Sequence, residues 1–371
     1  MGNRSRVLVI ALGIFFVGIA ALAKFYAYPT LAVAPPDQVA HTVSAGPDAT
    51  FFSAKELKKK EHETLEARRT VRGDVKAAED ISKKLDRKVV VFDTAVVTDD
   101  SPNYQFPDDA SKTDDAPLSF VQERVVLDAH TGESVFWDDK DTGEYIATSL
   151  DKSARQTASN GGSEYFKKHE GLVLKFPFGT EKKTYQFWDT TTRKAYPINY
   201  KAEDNLYGLK VYVFEQEVPK QNLKQATQLE LPGTLVGESS PAAVKVDRAY
   251  QNTRTLWIEP ITGAIIKGQE KQHAGLEING EERLVATDVT IAYDDATVKK
   301  NVLGAKENGI QEGGYKDKAA QLHLIGFWVP LISLIIGLLL LALVAALHLR
   351  PRPAVAGAPD DEADAEPDEK D

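Results

Sequence analysis

The chain has 371 residues, 42% hydrophobic and 27% charged, so the bulk of it can fold around a core and wholesale disorder is excluded. Its formal net charge is −10, from 45 Lys+Arg against 55 Asp+Glu, but Pro359 to Asp371 alone holds eight acids and one lysine; the remainder is near neutral and offers no basic stripe to nucleic acid. The lack of cysteine excludes disulfides, cysteine-ligated zinc, a lipidated cysteine anchor and a thiol nucleophile.

Residues 1–6 form a short basic N-terminus with Arg4 and Arg6, and residues 7–28 form an apolar run long enough to span a membrane as a helix. Lys24 can snorkel at its end, and Tyr26 and Tyr28 suit an interfacial belt. The competing reading is a signal peptide cleaved after Ala21-Leu22-Ala23. Residues 29–323 are predicted to be a mainly β (α+β) extracytoplasmic domain, entered through a Pro- and Ala-rich approach of some thirty residues. A charged stretch from Ser53 to Glu63 is expected to be helical, and alternation then starts at Leu65, Ala67, Val71 and Val75. Further strands are expected over residues 89–97, 119–127, 171–176, 184–188, 209–218, 243–250, 253–259, 264–271 and 283–293, many with Val, Tyr, Phe and Thr at period two.

One short unit recurs three times, as VVLDAHTGESVF from Val125, QFWDTTTRKAYP from Gln186 and LWIEPITGAIIK from Leu256. Each reads as strand, acid, two residues, Thr, turn residue, strand. Asp128, Asp189 and Glu259 can then accept backbone hydrogen bonds, and Gly132 and Gly263 can supply positive φ. A recurrent turn solution and two related half-domains both account for it. Asp295 is expected to cap a helix over residues 296–321, interrupted at Gly313-Gly314. Residues 324–349 form a second transmembrane helix, with Trp328 at its interface and Pro330 near its start. Arg350 and Arg352 follow it, so the positive-inside rule places both termini, including the acidic tail 350–371, in the cytoplasm and the centre of the chain outside.

Catalytic and metal-binding signatures are missing: there is no G-x-S-x-G elbow, H-E-x-x-H, P-loop or G-x-G-x-x-G. His62-Glu63 and His169-Glu170 lack the second His of a zinc-binding helix, and the acid-rich stretches at Asp99 to Asp115 and Asp138 to Asp141 lack calcium-loop spacing. No catalytic residue, metal ligand or cofactor is therefore expected. The most distinctive stretch is HEGLVLKFPFGTEKKTYQFWD from His169 to Asp189, where Phe176, Phe178, Tyr185, Phe187 and Trp188 give five aromatics in thirteen residues. Such a cluster can fill a β core, or it can line an apolar site for acyl chains, with Lys175, Lys182 and Lys183 rimming it toward polar head groups.

The segments FYAYPTLAVAP from Phe25, TVRGDV at Thr70 to Val75, HEGLVLKFPFGTEKKTYQFWDTTT at His169 to Thr192, GLKVYVFEQEVP at Gly208 to Pro219 and LWIEPITGAI at Leu256 to Ile265 resemble the actinobacterial PorA-family membrane proteins. The resemblance runs from the first helix to the second. It implies association with periplasmic glycolipid traffic and lipoglycan maturation in mycolic-acid bacteria, alongside MmpL-type exporters, and brings no catalytic residues. The leading expectation is a non-enzymatic, membrane-anchored envelope factor that binds an acylated glycolipid such as trehalose monomycolate and helps pass it outward, with an exporter or envelope synthase as partner. The alternatives are a porin or channel-forming protein and a scaffold for envelope synthases that binds no lipid.

Overall fold

The computed structural model describes residues 3–101, 117–148, 155–157, 168–223, 229–307 and 310–348. In chain order, α1 (Asn3–Leu22) continues through a wide turn at Ala23–Ala27 into a short helix at Tyr28–Leu31. There follow β1 (Val39–Ser53), β2 (Lys58–Gly73), α2 (Val75–Leu85), β3 (Val89–Asp99), β4 (Ser119–Asp128), β5 (Tyr145–Ala147) and β6 (Tyr185–Asp189). Next come β7 (Lys194–Leu206), β8 (Leu209–Leu223), β9 (Leu229–Pro232), β10 (Ala243–Glu259), β11 (Ala264–Ile278) and β12 (Glu281–Tyr293). The chain ends its described course with α3 (Asp295–Leu303), a hairpin of β13 (Gly304–Glu307) and β14 (Ile310–Gly313), α4 (Tyr315–His323) and α5 (Val329–His348). Two compact units result, one of residues Met1–Ala27 with Ile325–Asp371, the other of Tyr28–Leu324.

The first unit is a helix pair. Two apolar helices, Arg4–Leu31 and Tyr315–His348, are long enough to cross a membrane. Small residues let α1 and α5 approach closely: a Cβ on Gly337 would lie 2.8 Å from the Gly13 carbonyl oxygen, and one on Gly13 would lie 2.8 Å from the Leu341 side chain. Arg350, Arg352 and the acidic tail lie outside the described residues.

The second unit is mainly β. Its sheet runs β5-β4-β3-β2-β1-β12-β11-β10-β8-β7-β6, with β9 added to β10, and every strand pair in it is antiparallel. Long twisted antiparallel strands in such a sheet curl, and here they make a half-barrel. The gap between its two sides is bridged at one end, where Leu127 pairs with Ser134, Glu133 with Leu172, and Leu172 with Phe187 of β6. Helices cover two outer patches: Ala77, Ala78 and Ile81 of α2 pack on Val89, Val91 and Val126, and Val298 and Val302 of α3 pack on Val211 and Ile266.

Several local expectations are corrected. The charged stretch 53–63 is a hairpin, not a helix: Ser53 Oγ accepts from the Glu56 amide at 3.2 Å, Leu57 takes φ 51°, and Lys58 pairs back with Ser53. Good helix formers are overruled there by the strand pairing of β1 with β2. The Pro- and Ala-rich approach contains β1, whose alternation is blurred by a bulge between Ala45 and Ala49. Alternation does not reach Val75, because Asp74 accepts from the Ala77 amide at 3.0 Å and starts α2. Asp294 rather than Asp295 caps α3, and the β13–β14 hairpin splits the helix expected over 296–321. The strand expected at 171–176 is reduced to bridges at Leu172.

Candidate functional site

The concave side of the half-barrel encloses a cavity of about 560 Å³. Strand alternation builds its wall: Leu65, Ala67 and Arg69 of β2, Thr94, Val96 and Thr98 of β3, Ser119, Val121 and Glu123 of β4, and Glu270, Gln272, Ala274 and Leu276 of β11 each recur at period two. The inward face is thus mixed, with apolar side chains from most strands and a belt of charge and amide across the middle.

Arg254 of β10 organises that belt. Its Nε donates to Glu270 at 2.8 Å, one terminal nitrogen to Asp189 at 3.1 Å, and the other to Gln216 Oε1 at 2.5 Å and the Trp188 carbonyl at 3.3 Å. Glu270 also accepts from Asn252 at 3.0 Å and Gln272 at 2.6 Å. Burial alone would raise the Glu270 pKa, but the Arg254 guanidinium and the amide donors outweigh it and hold the carboxyl down at about 2. Burial likewise opposes the Arg254 charge, and Glu270 and Asp189 more than restore it.

One end of the cavity is closed by a strap from His169 to Thr180 that laces the three recurrent turns together. Phe178 N–H donates to the His130 carbonyl beside the first turn; Leu172 exchanges bonds with Gln186 and Trp188 ahead of the second; Phe176, Gly179 and Thr180 donate to Gly263, Ile261 and Pro260 of the third. In each turn the acid does what its spacing predicts. Asp128 accepts from the Thr131 amide at 2.7 Å, Asp189 from Thr192 at 2.9 Å and Glu259 from Thr262 at 2.7 Å. The next residue has positive φ every time, at Gly132, Arg193 and Gly263.

The start of the strap is fixed by a buried polar cluster. His169 Nε2 lies 3.4 Å from Glu123 Oε1, and its Nδ1 lies 3.3 Å from Glu144 without hydrogen-bond alignment. Trp188 Nε1 and Thr190 Oγ1 also donate to Glu123, at 3.4 and 2.9 Å. Burial works against the His169 charge, but the two carboxylates overcome it and raise its pKa to about 9.

The aromatic residues singled out by the sequence divide between two places. Phe187 and Trp188 line the cavity. Phe176 is fully buried in a core cluster with Phe214, Ile198 and Ile258, and Tyr185 packs against that cluster. Phe178 is half-buried, 4.2 Å from Lys175 Nζ. Lys175 donates to the Phe176 carbonyl at 2.6 Å, and burial lowers its pKa to about 7 despite the pull of Asp128. Lys182 and Lys183 are exposed and pair with Glu203 and Glu181, away from the cavity lining. Sequence reasoning missed Arg69, Glu123, Arg248, Arg254 and Glu270. Their signal was a charged residue on the apolar face of an alternating strand, as in Arg254-x-Leu256-x-Ile258. Among the described residues, no group of His, Asp and Glu is arranged to hold a metal.

The family model described as Porin PorA matches residues 6–346. A protein named Porin PorA from Corynebacterium amycolatum is 24% identical over 309 residues, covering 71% of this chain and 75% of its own length. Another of that name, from Corynebacterium resistens, is 31% identical over 145 residues, covering 27% of this chain and 35% of its own length. With the match running from within the first apolar helix to within the last, the chain belongs to the PorA family.

Proposed function

We propose that the chain is a non-enzymatic envelope protein of the porin class, in which the lumen of the β unit forms part of a path for small solutes. The observation that carries this reading is the family match, whose relatives are named as porins, joined to a lumen faced by Arg69, Arg248, Arg254, Glu123, Glu270 and Gln272. The apolar helices offer no such lining. Across residues 7–22 and 329–347 the only hydroxyl is that of Ser333, and it is buried. Nor does the β unit suit acyl chains on its outside, where the ion pair Lys201–Glu215 at 2.9 Å stands on β7 and β8. A channel made from this chain therefore draws on several copies, with the helices as anchors and the lumens as vestibules. Full-length protein added to planar bilayers is expected to give stepwise conductance; folded protein that leaves the bilayer silent would overturn the reading.

The apolar share of the same lumen supports a second reading, an acylated glycolipid as guest. Phe51, Leu65, Leu276, Val289 and Ile291 line the cavity, and each CH₂ buried against such a wall contributes about 0.8 kcal/mol. Phe187 and Trp188 would contact the chain, and an exporter or envelope synthase would be the partner. Organic extracts of the purified protein, analysed by mass spectrometry, should then contain a lipid in stoichiometric amount. In both readings Arg4 and Arg6 flank the first span on the cytoplasmic side, leaving the β unit outside.

A further inference from the structure

Among the described residues the lumenal charges mostly answer one another, and Arg248 on β10 stands apart as the one without a carboxylate acting on it. Arg254 is held by Glu270 and Asp189, Glu123 by His169 and Thr190, and Arg69 acts electrostatically on Glu270. Arg248 also lines the cavity, but it has no hydrogen-bonded or salt-bridged partner among the described residues. It stands six residues before Arg254, roughly 20 Å along an extended strand, so it belongs to a different level of the lumen. Its neighbours across the ladders are Leu276 and Leu223, and Leu229, Phe52 and Ala286 line the same cavity.

Arg248 lines the cavity and is exposed, so solvent and solutes can reach its guanidinium. Arginine is always charged. A guanidinium that solvent reaches and that no carboxylate on the lumen wall pairs with is open to an incoming anion, which can accept charge-assisted hydrogen bonds from it. The walls beside it are apolar, which favours a guest that also carries hydrocarbon.

We infer that Arg248 anchors the anionic head of an amphiphile, a phosphate or carboxylate joined to an acyl chain, whose apolar part lies along Leu229, Leu276 and Phe52. This rests on the second reading above and specifies the chemistry of its guest. The test uses the full-length protein in non-ionic detergent, with fluorescent phosphatidic acid and a fluorescent diacylglycerol of the same chains as probes. Phosphatidic acid should bind about tenfold more tightly, the worth of a charge-assisted hydrogen bond, and R248Q should erase that preference while R248K keeps most of it. Lys201→Gln, on the outer surface, should change nothing, and circular dichroism should show each variant folded. Inorganic phosphate at millimolar concentration should not displace the probe; full displacement would mean a site for a small anion and would overturn the proposal. A preference that survives in folded R248Q would overturn it too. Equal binding of both probes would remove the role of Arg248 and leave a lipid-binding lumen standing, whereas no binding of either would remove both. Should R248Q not fold, the wild-type preference and the R248K result still decide the matter.

Discussion

His169 and Lys175 lie six residues apart on the strap and carry opposite pH signatures. His169 has a folded pKa of about 9, above its ordinary 6.5, so the stability it contributes is complete below about pH 6.5 and is lost as pH rises through about 9. Lys175 has a folded pKa of about 7, below its ordinary 10.5, so it penalises folding fully below about pH 7 and the penalty relaxes as pH climbs toward 10.5. The two trends oppose each other in the wild type, and a variant must separate them. Glu144→Gln removes one of the two carboxylates that hold the imidazolium, so the loss of melting temperature between about pH 6.5 and 9 attributable to His169 should shrink. Thermal melts of both proteins at a series of pH values measure this directly. Curves that differ only by a constant offset would show that Glu144 does not support the charge on His169. Neither residue's role was legible in the sequence, because His169-Glu170 looks like a local pair, whereas the carboxylates that matter come from Glu123 and Glu144 on other elements.

At the scale of elements, the strap exists because the three turns share one geometry and leave carbonyls free to receive it. Gly263 shows how tightly it docks: φ is 72°, and a Cβ there would lie 2.1 Å from the Phe176 carbonyl oxygen. Gly179 has nearly the same φ, 70°, but nothing lies within 4 Å of its Cβ position. Gly179→Ala should therefore cost only the backbone strain of a left-handed residue, about 1 kcal/mol, while Gly263→Ala should cost about 3 kcal/mol or more because the strap must also move. Urea midpoints of the two variants give the comparison, and equal losses would mean that the strap does not press on the third turn. The turn grammar was readable because acid, Thr and positive-φ residue are neighbours in sequence. Strands such as β10 to β12 were readable from period two. Where the reading failed, distant pairing had overruled local preference: the helix formers Glu56 to Lys60 are drawn into the β1–β2 hairpin, and the segment 171–176 is drawn across the turns instead of into a ladder.

For the whole molecule, curvature decides what an alternating pattern means. In a flat sheet with one wet face, Arg248, Arg254, Glu270 and Gln272 would be ordinary solvent-facing residues; in the half-barrel the same face is the inside, and the charged pair Lys201–Glu215 takes the outside. The sequence cannot display that inversion, since both faces contain polar side chains and only closure tells them apart. It also gives the channel reading a direct consequence. If ions pass through the lumen, Arg248 lies on their path as a positive charge without an internal partner, so reversing it must change which ions pass. Arg248→Glu should shift the reversal potential of the full-length protein, measured in planar bilayers under a potassium chloride gradient, toward cation selectivity. The shift should shrink as salt rises, because screening shortens the reach of a lumen charge to about 10 Å at 0.1 M and about 3 Å at 1 M. The same reversal at Glu215→Lys, on the outer surface of β8, should leave the potential close to the wild-type value. A channel whose reversal potential ignores Arg248→Glu at low salt would have its conducting path elsewhere, among helices that offer ions no polar lining, and the lumen would be left to the lipid.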